Sequence, residues 1–132
     1  MANYQKITII RIKKPQRPDV NAELQWLGAS LGLFNLRDKD KSCYRIFVEL
    51  LRSAKKGEGR TSDELAYISG LSRGTIVHHL NKLMDSGIVI SQRNQYSLKK
   101  DALNLLIHEL EKDVNKTLDE MKAIARHLDE KI

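Results

Sequence analysis

Sulfur, proline and aromatic rings are all scarce in this chain. A single cysteine, Cys43, stands among 132 residues. No internal disulfide can brace the fold, and the composition fits a reducing compartment. Both prolines, Pro15 and Pro18, fall in "PQRP", where neither can donate to a β-ladder. Aromatic residues make up 5%, so aliphatic Leu and Ile must fill the core. No apolar run is long enough to span a membrane, and "MANYQKITIIRIKK" alternates like a strand and lacks a signal-peptide pattern. The cytoplasm is therefore the expected location, with no membrane partner. There is no glycine-rich phosphate loop and no nucleophile elbow, and Cys43 has no plausible activating partner. Neither catalysis nor a cofactor is expected.

Charge is abundant and unevenly spread. The net charge is +6, which suits an anionic partner. Residues 1–60 hold 13 Lys and Arg against 6 Asp and Glu, residues 61–100 hold 5 against 3, and residues 101–132 hold 5 against 8. A basic body with an acidic tail implies two different tasks. Three parts follow from this reading: an N-terminal extension over 1–37, open to use as a dimer contact or, through Arg11, Lys13, Lys14 and Arg17, as a basic arm along phosphates, a central domain over 38–100 and a C-terminal helix over 101–132.

In the extension, "KITIIRIKK" is extended, with Ile7, Ile9 and Ile12 towards one side. Asp19 caps a short helix that ends between Gly28 and Gly32 and carries Trp26, Leu27, Leu31 and Phe34 as core or interface anchors. The central domain opens with a helix whose Tyr44, Phe47, Val48 and Leu51 fall at i, i+3, i+4 and i+7. The acids in front of it, Asp38 and Asp40, suit its N-terminus, and Lys55 and Lys56 its C-terminus. Thr61 and Glu64 form a capping-box pattern for a very short helix, with Leu65 and Ile68 on one face and Gly70 at its end. Ser72 caps the next helix, over 72–86, which turns Ile76, Leu80, Leu83 and Met84 inward and stops at "DSG". "IVISQRNQYSL", over 88–98, reads as two strands turning through Gln92 to Gln95.

This order is that of a winged helix–turn–helix: mainly α, with a small β-wing. The stretch "TSDELAYISGLSRGTIVHHLNKLMDSGIVISQRNQYSL" resembles the core of the ArsR-like winged-helix transcription regulators, archaeal members included. Ser72, Thr75, Ile76, His79, Leu80 and Leu83 match that family's recognition-helix run, and "GIV" leads into the wing. The resemblance covers about residues 40–100 and implies a double-stranded DNA partner; residues 1–37 have no counterpart in it.

With Ile76, Leu80 and Leu83 inward, Arg73, Gly74, Thr75, Val77, His78, Asn81 and Lys82 face outward beside the capping Ser72. Arg73 and Asn81 can bond base edges bidentately, and Lys82 can neutralise a phosphate. Gly74 costs roughly 1 kcal/mol in a helix relative to Ala, which makes sense where a backbone or base edge must come close. Gln92, Arg93 and Asn94, at the wing tip, suit a minor-groove or phosphate contact. Of the adjacent histidines, His78 faces out and is a DNA-contact candidate, whereas His79 faces in and packs. The two diverge by about 100° on a helix and cannot share a metal.

Metal binding is not expected elsewhere either. The resemblance implies two places to look: thiolates in the short helix, and carboxylates and histidines on the last helix. The first holds "ELAYISG", without sulfur, and the second holds His108 and His127, too far apart for one site within a helix and able to pair between subunits only in an antiparallel arrangement. "DKDKSCYRIFVE" imitates a calcium loop through Asp38, Asp40, Ser42 and Glu49, yet Cys43 occupies the position that needs glycine.

From Asp101 onward a single helix is expected, with Leu103, Ile107, Leu110, Val114, Thr117, Met121, Ile124 and Leu128 stepping alternately by four and three. That is a heptad seam, broken only by Thr117, and it reads as the interface of a homodimer. The alternative is a fold-back over the first helix, covering Trp26 and Phe34. Two functions remain open: a homodimeric sequence-reading DNA regulator, and a winged-helix module for protein assembly whose long helix docks a different partner.

Overall fold

The computed structural model describes residues 5–36 and 41–132. Its elements, in chain order, are α1 (Val20–Ser30), α2 (Ser42–Lys55), α3 (Ser62–Ser69), α4 (Arg73–Asp85), β1 (Val89–Gln92), β2 (Gln95–Leu98) and α5 (Leu103–Lys131). The architecture is a winged helix–turn–helix with a small antiparallel β1–β2 wing and a long C-terminal helix.

Capping chemistry sets the helix starts. Asp19 accepts from the Asn21 N–H at the head of α1. Thr61 Oγ1 accepts from the Glu64 N–H at 3.1 Å while the Glu64 carboxylate accepts from the Thr61 N–H at 2.9 Å, a complete capping box on α3. The backbone bond from Thr61 is the main reason the Glu64 carboxyl titrates below its ordinary value. Gly70 ends α3 in the left-handed region, at φ +69°. Ser72 Oγ then caps α4 by accepting from the Thr75 N–H. The acids expected before α2, Asp38 and Asp40, lie outside the described residues.

The core is a single cluster. Ile76, Leu80 and Leu83 of α4 are fully buried, as their spacing requires, and Met84 packs partly against them. They meet Ile46, Phe47 and Leu50 of α2, Leu65 of α3, Ile88 and Val89 at the wing root, and Leu106 and Leu110 of α5. The buried stripe of α2 runs through Cys43, Ile46, Phe47, Leu50 and Ala54. Tyr44, Val48 and Leu51, expected at its centre, flank it half-buried. Ile68 does not share the buried face of Leu65 either and is 51% exposed.

Phe34 joins α1 to this core. Its ring lies so close over Gly28 that an added Cβ would sit 2.0 Å from it, and it meets Tyr44 edge-on at 5.5 Å. Burial is the largest influence on the Tyr44 hydroxyl and raises its pKa. Leu33, only 1% exposed, is a core residue that the helical pattern did not mark.

The wing turns through Arg93 and Asn94, both at positive φ (51° and 67°). That is the two-residue hairpin geometry whose twist matches paired strands. Its second strand is tied to the body by Arg60, which exchanges backbone hydrogen bonds with Tyr96 at 2.9 and 2.7 Å. The Arg60 guanidinium donates to Glu58 at 2.9 Å and lies 3.6 Å from Glu49. This third edge of the wing is absent from the sequence reading.

Candidate nucleic-acid interface

The outer face of α4 is open. Arg73, Gly74, Val77, His78, Asn81 and Lys82 are exposed, Thr75 is half-buried and the capping Ser72 is exposed. All eight lie on one short helical surface, on the side away from Ile76, Leu80 and Leu83. The wing tip supplies Gln92, Arg93 and Asn94, likewise exposed.

Local chemistry accounts for some of these residues without a partner. Ser72 Oγ caps the helix and lies 2.9 Å from Thr75 Oγ1, so both hydroxyls have a structural task. Arg73 reaches back to Asp63 of α3 at 3.6 Å, but both side chains are more than 70% exposed. An ion pair so well solvated contributes at most a few tenths of a kcal/mol and yields readily to a stronger anion.

Gly74 is different. An added Cβ would meet nothing within 4 Å, and the residue has ordinary helical backbone. The fold has no use for a glycine there, yet it bears the conformational cost.

His78 is exposed and His79 half-buried, with ring centroids 5.3 Å apart and an interplanar angle of 62°. Among the described residues, no group of three or more His, Cys, Asp or Glu is placed to hold a metal ion. Cys43 is buried. No helix among the described residues is long and apolar enough to cross a membrane.

The C-terminal seam divides in two. Leu110 is buried in the chain's own core, with Leu103 and Ile107 packed against that core and Val114 half-buried. Beyond it, every residue of α5 from Asn115 onward is exposed. Met121, Ile124 and Leu128 of the seam are 60%, 61% and 47% exposed. Thr117 satisfies its hydroxyl by donating to the Asp113 carbonyl at 2.8 Å, so the break in the seam leaves no polar group needing a partner. Sequence reasoning missed Leu118 (44% exposed) and Ile132, which extend the same apolar side. A period of 3.6, running 114, 118, 121, 125, 128, 132, would have found both. Leu106 was missed on the core side, where it is 1% exposed.

Comparison with known proteins agrees with this geometry. The model of the family described as the bacterial regulatory protein, arsR family, matches residues 48–91. A stretch of 56 residues is 38% identical to the HTH-type transcriptional regulator YgaV of Escherichia coli (strain K12), covering 39% of this chain and 57% of that protein. The chain thus spans little more than half the length of this curated relative. No solved structure gives a significant match. The matched segment runs from α2 through α3 and α4 into β1, which is the helix–turn–helix and the entry to the wing. Over residues 48–91, the helix–turn–helix of this chain is thus similar to that of the arsR family.

Proposed function

We propose that the chain is a sequence-specific double-stranded DNA-binding transcription regulator that acts as a homodimer. In this reading α4 enters the major groove, the wing lies on the backbone or in the minor groove, and distal α5 pairs with a second copy. The observation that carries it is the outer face of α4. Base-reading and phosphate-binding side chains surround a glycine that the fold itself does not need. The name of the Escherichia coli relative, a transcriptional regulator, supports the same reading. Arg73 and Asn81 then read base edges, Lys82 neutralises a phosphate, and Arg93 at the wing tip makes a second backbone or minor-groove contact. A two-fold dimer reads inverted half-sites about 10 bp apart, or a multiple of that.

Fluorescence-anisotropy titration of genomic fragments and scrambled DNA at several salt concentrations tests the proposal. Tight, competitor-resistant binding to some fragments is expected. Arg73→Ala or Asn81→Ala should each lose about 1–3 kcal/mol of discrimination, roughly 5- to 150-fold, while scrambled DNA binds much as before. Equal weak binding to all fragments that vanishes with salt would refute sequence reading.

Gly74→Ala separates fold from function because its two effects have opposite signs. Relieving the helix of a glycine should stabilise the protein by roughly 0.5–1 kcal/mol, raising Tm by a few degrees. The added methyl should at the same time weaken binding to the preferred fragment. Calorimetry and anisotropy on the same sample read both, and a variant that gains stability with unchanged affinity would remove Gly74 from the interface.

One observation favours a second reading, an assembly module that docks a different protein. Distal α5 stands wholly uncovered, and a hetero-partner would cover it as well as a second copy would. In that case the purified chain stays monomeric and binds DNA without sequence preference.

A further inference from the structure

Residues 5–12 run beside the body without regular secondary structure and without joining a sheet, and they are pinned along their length. The Gln5 amide donates to the Ser86 carbonyl at 3.2 Å and the Lys6 N–H to the Asp85 carbonyl at 3.0 Å, both at the C-terminal end of α4. Thr8 packs on Gly32, where an added Cβ would lie 2.6 Å from the threonine methyl. The Ile10 N–H donates to the Ser30 carbonyl at 2.7 Å, and the Ile12 carbonyl accepts from the Trp26 indole at 2.9 Å. The Ile side chains do not anchor the segment as their alternation suggested. Ile7 and Ile12 are half-buried, but Ile9 is 67% exposed.

What the pinned segment presents is positive charge. Lys6, Arg11, Lys13, Lys14 and Arg17 are five cations with no acid between them. All five are exposed, and none pairs with a carboxylate among the described residues. Fixing like charges along a line builds up repulsion that only an external anion can offset. The line also starts at the outer face of α4: Lys6 and Thr8 share a groove with His78, Asn81 and Lys82. A polyanion lying against α4 therefore meets Lys6 first and the remaining cations as it continues.

We propose that residues 6–17 form a basic arm that binds the DNA phosphates flanking the site of α4, extending the footprint beyond the helix–turn–helix and wing. This rests on the reading of α4 as the DNA-facing helix. The choice of DNA over a second copy of the chain follows from charge pattern. The acids of α5 alternate with Lys112, Lys116, Lys122, Arg126 and Lys131, whereas a duplex offers a continuous row of negative charge.

The test is the salt dependence of binding for the full chain with Arg11, Lys13 and Lys14 all replaced by Ala. These side chains are exposed, so the fold should persist, as far-UV circular dichroism can check. The matched triple variant Arg11→Lys, Lys13→Arg and Lys14→Arg keeps the charge and serves as control. The slope of log K against log salt should become shallower by about 0.9 for each phosphate that is no longer neutralised, about 2–3 in all. Affinity should fall at least tenfold at about 0.1 M salt, by the same factor for preferred and scrambled DNA, and the charge-keeping variant should restore it. An unchanged slope with DNA binding intact would overturn the arm. So would a drop in affinity that tracks a change of oligomeric state in sedimentation, which would make the segment a dimer contact. If the wild-type chain shows no sequence preference, the reading of α4 fails, yet a shallower slope in the Ala variant still supports the arm.

Discussion

Replacing Ile124 and Leu128 together by Glu should leave the winged-helix body folded, abolish self-association and remove most of the affinity for a two-half-site DNA. The fold should survive because both side chains are already in water, at 61% and 47% exposure, on a stretch of α5 that is exposed throughout. On the proposed homodimer reading, pairing adds to the stability of this helix beyond Val114. Fully burying a Leu or Ile contributes about 1.5–3 kcal/mol. Two such residues from each of two chains account for several kcal/mol, and the variant replaces them with four carboxylates facing one another. The dimer dissociation constant should rise at least a thousandfold, moving the protein from dimer to monomer at micromolar concentration in sedimentation velocity. Separating the recognition helices also removes the gain from binding two half-sites at once, of the order of 10²–10⁴ in affinity. A single half-site should bind the variant and the wild type alike. If the double variant still sediments as a dimer, the interface lies elsewhere; if the wild-type chain is itself monomeric, the homodimer reading fails outright.

Much of this molecule was legible because its signals are local. The Thr61–Glu64 capping box, the Ser72 cap, the Ile76–Leu80–Leu83 spacing and the turn at Arg93 and Asn94 each lie within a few residues, where periodicity and cap chemistry act directly. The outer face of α4 followed by subtraction: once three apolar positions turn inward, the rest can only turn out. What escaped depends on distant partners. The stripe of α2 is centred on Ile46 and Phe47, not on Tyr44 and Val48, because Cys43 and Ala54 are small apolar residues that α2 buries as readily as large ones. The Arg60–Tyr96 pairing joins residues far apart in sequence and leaves no pattern in either. The bonds from Gln5 and Lys6 to Ser86 and Asp85 are of the same kind.

The seam of α5 shows a subtler limit. A heptad pattern states that one side of a helix is apolar, not how many surfaces that side serves. Its first turns, with Leu106 added, close the winged-helix core, while its last turns extend past it. A helix of 29 residues is roughly 43 Å long, so both uses fit on one element. Its acidic character also separates it from the basic surface around α4. The two halves of the chain thus differ in charge, as the proposed reading of two different partners expects.

Leu80→Ala should be strongly destabilising, and it sits one residue from Asn81, whose loss should leave stability nearly unchanged. Leu80 is wholly buried among the residues that join α4 to α2 and α5. Emptying such a site costs the transfer energy of the lost methyl groups plus a cavity term, together about 2–5 kcal/mol. For a domain of this size that corresponds to a fall in Tm of roughly 10–20 °C. Asn81 is exposed, and replacing it by Ala should change stability by no more than about 0.5 kcal/mol. Thermal unfolding of both variants beside DNA titration should give crossed results. Leu80→Ala loses stability and, while still folded below its lowered Tm, keeps its choice of sequence; Asn81→Ala keeps stability and loses that choice. The crossing follows from the helix itself: about 100° of rotation separates Leu80, on the side that holds the domain together, from Asn81, on the side proposed to meet DNA. If both variants unfold early, Asn81 has a structural task that its exposure does not reveal. If neither shifts sequence preference, the reading surface is not on α4.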